Sequence, residues 1–208
     1  MPPRAKKAES AEQPQVVAIQ RLQRIEFKVP IVGTTPLIVN RWSEKAKAMM
    51  LQAQQTSAKP KKEPKDPNAN FEASRYRLPD GRDGFPAPGF KAAIVHASRL
   101  FDGVTQVLLK QAVIVLGEGD EQLVPIEYDE ITMREDTPRN ANGIADLRYR
   151  AQYWPWSAVL RVQTIGKQFD DQSILALVDA AGAGGVGEWR PTSPKSATGT
   201  YGTFAVKD

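Results

Sequence analysis

Hydrophobic and polar positions alternate most regularly near the start of the chain. Ile25, Phe27, Val29 and Ile31 take every second place, with Glu26 and Lys28 between them. That period of two predicts a half-buried strand over residues 25–32. Gly33-Thr34-Thr35-Pro36 turns the chain, and the apolar run Leu37-Ile38-Val39 extends the strand past the turn. Ser43 ahead of Glu44–Leu51 reads as a capped helix start. The period changes over residues 88–102, where Phe90, Ile94, Ala97 and Phe101 share one helical face and Gly103 ends the element. Residues 113–116 form a buried-strand candidate, and Val124, Ile126, Tyr128 and Ile131 mark another. Gly117–Asp120 between the two reads as a hairpin turn. Residues 157–165 are a strand. Asp170 caps a helix over 171–181 with Ile174, Leu177 and Val178 inward, and residues 201–206 are a last strand.

The intervening segments carry no such pattern. Gln54–Asn70 holds three prolines and no apolar residue larger than Ala, and is expected to be a mobile loop. Phe71–Leu78 reads as a strand or irregular stretch, and Asp80-Gly81 and Asp83-Gly84 as turns. Arg134–Gly143 is polar and turn-rich, and Ala145–Tyr153 leads back from it, so that the whole resembles a protruding finger. The strongest elements give the order βαββαβ, an α+β, ferredoxin-like (RRM-like) core with an inserted loop and a thumb-like hairpin. The expected organisation is a disordered basic tail over 1–23 and one domain over 24–208. Within that domain lie a mobile insertion at about 52–75 and a thumb at about 117–155.

Composition narrows the function. The 208 residues suffice for one good core, and 41% apolar with 25% charged residues is ordinary for a globular domain. With no cysteine there is no disulfide, thiolate metal site or thiol nucleophile, and a single His argues against zinc chemistry. No apolar run reaches membrane-spanning length and no signal-peptide core is visible, so the expected location is cytoplasmic, in a host cell if a phage encodes the chain. The net charge is +4, unevenly spread. Residues 1–24 hold five Lys/Arg against two acids and residues 41–77 nine against four, so these segments carry +3 and +5 and the remainder −4. His96 lies off the apolar stripe of its helix, Asp170-Asp171 is explained by helix capping, and Glu127, Asp129 and Glu130 lack a second acidic cluster. No cofactor, metal or catalytic constellation is expected, which points to a binding protein rather than an enzyme.

The most distinctive segment is Ala181-Gly-Ala-Gly-Gly-Val-Gly-Glu-Trp-Arg-Pro191, followed by Gly199-Thr-Tyr-Gly-Thr-Phe204. Glycines let a backbone approach a phosphate and aim N–H groups at it, or they serve only to stop the helix. A ferredoxin-like chain with a Gly-rich loop between second helix and last strand resembles the RAMP superfamily. Its guide-RNA-binding backbone subunits in CRISPR effector complexes carry such a loop, matched in general form by Gly185-Val186-Gly187 with Gly199 and Gly202. They also insert a thumb between the middle strands, where Leu116–Tyr153 falls here, and Gly33–Val39 looks like the family's opening. A small phage or prophage relative fits equally well. The resemblance implies a protein that coats single-stranded RNA or DNA and self-associates head to tail.

Aromatic and basic residues interleave at Arg75-Tyr76-Arg77 and at Arg148-Tyr149-Arg150, the latter leading to Tyr153, Trp154 and Trp156. Rings can stack on bases while arginines pair with phosphates, or the same residues can pack and pair internally. Trp42 beside Arg41 and Trp189 beside Arg190 are open to both readings. The residues expected to contact nucleic acid are Arg41, Lys45, Lys47, Lys91, Arg148, Tyr149, Arg150, Gly185, Gly187 and Arg190. The rival expectation is a structural or adaptor protein of the same fold, a virion component or RAMP mimic, that binds no nucleic acid.

Overall fold

The computed structural model describes residues 19–55, 64–138, 143, 145–166, 168–194 and 197–207. The first half of the chain forms β1 (Arg24–Gly33), β2 (Leu37–Val39), α1 (Glu44–Gln55), α2 (Pro67–Ala73), β3 (Gly84–Pro86) and α3 (Ala87–Ala97). The second half adds α4 (Gln106–Ala112), β4 (Val113–Leu116), β5 (Leu123–Asp136), β6 (Arg148–Ile165), α5 (Asp171–Gly184) and β7 (Phe204–Val206). The result is an open antiparallel sheet with helices, an α+β architecture.

The sheet is organised around β6, whose 18 residues outrun every partner. Along one edge its C-terminal half pairs with β1, from Arg24↔Ile165 to Val32↔Ser157, and its N-terminal half with β2, from Leu37↔Tyr153 to Val39↔Ala151. Along the other edge β4 takes Arg161–Thr164 and β5 takes Arg148–Ala158. β7 lies outside β1 and β3 outside β5. One half of the sheet is therefore ordered β7-β1-β6-β4, and the other half is formed by β2, β6, β5 and β3.

Under the first half sits a conventional core. Val29, Ile31, Val113, Val115, Leu160 and Val162 point every second side chain toward α3 and α5, which supply Phe90, Ile94, Ile174 and Val178. Alternation within each strand explains this, because only one face is covered. The opposite face carries Glu26, Lys28, Val159 and Arg161 in the open, with Arg161 forming two hydrogen bonds to Glu26 at 2.7 and 3.2 Å.

The second half is covered differently. Phe85 packs edge-on to Phe90, and Tyr128 to Tyr153, at ring separations of 5.4 and 4.8 Å. Between α2 and β3, Arg75 Nη2 donates to the buried carboxylate of Asp83 at 2.6 Å, which also accepts the Tyr128 hydroxyl at 2.6 Å. Burial pushes the Asp83 carboxyl upward, but the hydrogen bonds from Arg75 and Tyr128 and the Arg75 charge outweigh it and hold the group below the usual carboxylate range.

Several expectations need correction. The segment expected to stay a loop through Asn70 folds into α2, because Asp66 accepts the Ala69 amide at 3.1 Å and Pro67 opens the helix. Asp83-Gly84 is not a turn: Gly84 starts β3, where a Cβ would stand 3.0 Å from that of Leu123. β4 and β5 do not pair with each other: the turn between them closes on a bridge between Glu118 and Leu123, beyond the end of β4, and the two strands lie end to end along β6. The first half of β6, expected in a protruding finger, contains Ala151 and Tyr153 with no exposure at all. α4, capped by Thr105, falls where no element was expected, and the last strand begins only at Phe204. The expected tail up to residue 18, and residues 56–63 of the expected insertion, lie outside the described residues.

Candidate functional site

Two cavities meet at Asn40, the residue that leaves β2. The larger, about 300 Å³, opens between the β2–α1 connection, α2 and the start of β6. Arg41, Trp42, Lys65, Asp146, Arg148 and Tyr149 line it. Its position follows from local structure: the Arg41 amide donates to Ser74 O at 2.8 Å, which ties the connection to the end of α2. Trp42 is 59% exposed, an unusual state for the largest apolar side chain. Lys65 Nζ and Arg148 Nε share the Asp146 carboxylate at 2.6 and 3.1 Å. The hydrogen bond from Lys65, and then that from Arg148, hold the Asp146 carboxyl below its ordinary value. Arg41 pairs with Glu121 and more loosely with Glu44, at 3.7 Å.

The smaller cavity, about 210 Å³, lies between α3 and the Gly-rich loop. Tyr76 and Phe85, in edge contact at 6.3 Å, form one wall, and Asn40, His96, Glu188 and Arg190 supply polar groups. Burial pushes the Tyr76 hydroxyl above its ordinary value; Arg41 opposes that shift and Glu188 and Glu121 add to it, so charges of both cavities reach this ring.

A clasp of charged side chains is built around the buried Arg150 and Asp136. Arg150, 2% exposed, donates from Nη1 to Asp136 Oδ2 at 3.0 Å and reaches Glu188 at 3.4 Å. Asp136 also accepts Arg134 Nε at 2.9 Å and the Trp189 indole N–H at 3.3 Å. The clasp thus joins β5 and β6 to the Gly-rich loop.

The expected nucleic-acid residues are brought together only in part. Arg41, Arg148 and Tyr149 converge on the larger cleft. Arg150 does not: a guanidinium with this burial presents no face to a polymer. Lys47 pairs with Glu44 at 2.7 Å on α1, which also carries the exposed Lys45, and Lys91 donates to Lys110 O at 3.0 Å on the far helix, so none of the three lines either cavity. Gly185, Gly187 and Arg190 line the smaller cavity instead, with Arg190 Nη1 donating to Gly187 O at 2.8 Å.

The expectation that the Gly-rich loop offers its amides to a phosphate is corrected for three of them. Gly185 N donates to Ala181 O and Gly182 O, Val186 N to Gly202 O, and Glu188 N to Ile38 O, all between 2.9 and 3.2 Å. Gly185 and Gly187 hold φ of +69° and +77°, and a Cβ on Gly187 would collide with the Ile38 carbonyl oxygen. Gly187 lets the loop pack backbone to backbone on β2, and Gly185 lets it close on the Tyr201-Gly202 backbone. Trp156 is likewise a core anchor, 3% exposed with its indole N–H donating to Thr35 O at 2.9 Å, whereas Trp154 is exposed.

Sequence reasoning missed Asn40, set His96 aside as a surface or structural residue, named Tyr76 only within the Arg75-Tyr76-Arg77 run, and weighed Lys65 only within a Lys-rich insertion over 59–65 that is either a solvated loop or steers phosphate. The available signals were weak: Asn40-Arg41-Trp42 directly follows an apolar run, and Lys65 directly precedes a helix cap. Among the described residues, no group of three His, Asp or Glu side chains is placed to hold a metal ion, and no helix is long and apolar enough to cross a membrane. No family model matches the chain, and no curated protein matches it significantly.

Proposed function

We propose that the chain is a RAMP-type, single-stranded nucleic-acid binding protein with weak sequence selectivity, and that the larger cleft holds the strand. The observation that carries this reading is the exposed Trp42 with Tyr149, set among Arg41, Lys65 and Arg148 from three separate parts of the chain. Rings of this kind stack on bases of any identity, and the cations pair with the backbone. The existing ion pairs compete with it only weakly. Exposed pairs contribute about 0–1 kcal/mol, so a phosphate can replace the carboxylate on Lys65 or Arg148 at little cost.

The strand order β7-β1-β6-β4, antiparallel throughout with α3 and α5 on one face, supports the ferredoxin-like part of the reading. Side-by-side association along the strand belongs to the same proposal. Mass photometry with oligonucleotides of increasing length tests it, and one copy per strand at every length overturns that part.

The central test is an anisotropy titration of matched single-stranded RNA and DNA at low and moderate salt, with Trp42→Ala and Arg148→Ala alongside. Salt-sensitive binding weakened by both substitutions is expected, with Trp42→Ala costing roughly 1–3 kcal/mol. Absence of binding to either polymer at micromolar protein overturns the reading. One observation favours the adaptor alternative: Arg41, Lys65 and Arg148 each already have a carboxylate partner. In that case the cleft is a self-contained surface, and neither polymer binds.

A further inference from the structure

We infer that the smaller cavity receives a single nucleobase turned out of the strand that lies in the neighbouring cleft. This rests on the proposed function and assigns a second, base-accepting subsite to it.

Size is the first argument. At about 210 Å³ the cavity is below the roughly 300–1,000 Å³ of sites that enclose drug-sized ligands, which leaves room for one ring system. Its walls suit a flat occupant. Tyr76 and Phe85 bring aromatic surface, while Gly89, Ala92 and Ala93 on α3 present a helix surface without long side chains. Opposite, the Gly-rich loop lends main-chain surface at Gly185 and Gly187.

The polar groups fit the edge of a base. Asn40 offers a donor and an acceptor together, Glu188 a pure acceptor and Arg190 a pure donor. Flipped bases are read in this way, by hydrogen bonds to the pairing edge between aromatic or apolar walls. Glu188 is held in place by its contact with the buried Arg150 at 3.4 Å, so this acceptor is positioned before any ligand arrives. Connection is the last argument: Asn40 lines both cavities, so a strand along Trp42 and Tyr149 passes the mouth of the smaller one. A free nucleotide carries the same chemistry, and the experiment separates the two sources.

The experiment titrates the full chain with short single-stranded oligonucleotides carrying 2-aminopurine at one internal position, reading emission and affinity. Ala92→Leu is the blocking variant, because Ala92 is exposed on α3 and Leu keeps the helix while filling the cavity. Gln111→Leu, at an exposed position of α4 that lines neither cavity, is the second variant and adds the same side chain away from the proposed subsite. Circular dichroism confirms that both fold. The four nucleoside monophosphates are titrated separately by calorimetry.

For the wild type and Gln111→Leu the proposal expects emission to rise as the probe leaves its neighbours. For Ala92→Leu it expects the rise to be lost and affinity to fall roughly 5- to 150-fold, the range of one stacked base. Binding with an unchanged emission rise in Ala92→Leu overturns the base subsite while leaving strand binding in place. Absence of strand binding overturns the proposed function and the flipped-base subsite together. Monophosphate binding lost in Ala92→Leu, without strand binding, assigns the cavity to free nucleotide and likewise overturns the inference.

Discussion

The cleft and the clasp use the same chemistry at two depths. In the cleft, Lys65 and Arg148 share Asp146, whose side chain is 40% exposed; in the clasp, Arg134 and Arg150 share Asp136, whose side chain is 7% exposed. Arg148 and Arg150 stand only two residues apart on β6. Depth decides what each can do. Water screens the outer pair, so its members can exchange partners, whereas breaking the inner pair leaves a charge stranded away from solvent. A cation at the surface is available for a ligand, and one in the clasp is available only to the fold.

The largest test of that contrast is Arg150→Ala. It leaves Asp136 buried without one of its partners and frees Glu188, and it is expected to lower unfolding stability by about 3–5 kcal/mol in urea denaturation. A loss below about 1 kcal/mol would mean that the clasp behaves like the cleft. Gly187→Ala comes next. The new methyl meets the Ile38 carbonyl at a φ of +77°, so a loss of about 1–3 kcal/mol is expected, with the loop rather than the sheet core loosening first in hydrogen exchange.

The sheet core was legible because period-two alternation survives in β1 and in the C-terminal half of β6, where one face is dry and the other wet. It fails in the N-terminal half of β6. There Arg150, Ala151 and Tyr153 are all buried, since β2 and β5 flank the strand while α2 and the Gly-rich loop pack on it, and a buried arginine in that run looked like part of an exposed finger. The end-to-end placement of β4 and β5 was hidden for another reason: two short apolar runs around a glycine turn look like a hairpin unless the length of their common partner is known. Arg41, Arg148 and Tyr149, singled out for their aromatic and basic neighbours, do line one cleft. Lys65 and Asn40 join them only through tertiary contact, and no local pattern marks such residues.

Acid titration sharpens the contrast at intermediate size. The Asp83 carboxyl, like that of Asp136, is buried, and its folded value is depressed despite its burial because Arg75 and Tyr128 hydrogen-bond to the ionised form. A depressed folded value contributes stability that is present above the unfolded value of about 3.9 and is lost as pH falls through the folded one. Stability should therefore decline below about pH 4, and Asp83→Asn should start lower and decline less steeply. A variant whose acid limb matches the wild type would remove Asp83 from the set of groups that hold the second half of the sheet.

The smallest effect on the fold, and the most informative for function, comes from Asp146→Asn. The exposed pairs it breaks are worth little, so unfolding stability should change by less than about 0.5 kcal/mol. Binding should respond in the opposite sense to ordinary damage. Lys65 and Arg148 lose their competing carboxylate, so affinity for a single strand should rise and its salt dependence should steepen by up to about 0.7 in log–log slope for each additional phosphate neutralised. Arg148→Ala in the same background should reverse the effect. Tighter binding would identify Asp146 as a placeholder for phosphate, and weaker binding in a stable Asp146→Asn protein would mean that the carboxylate positions the cations, so that the cleft, like the clasp, is fixed structure.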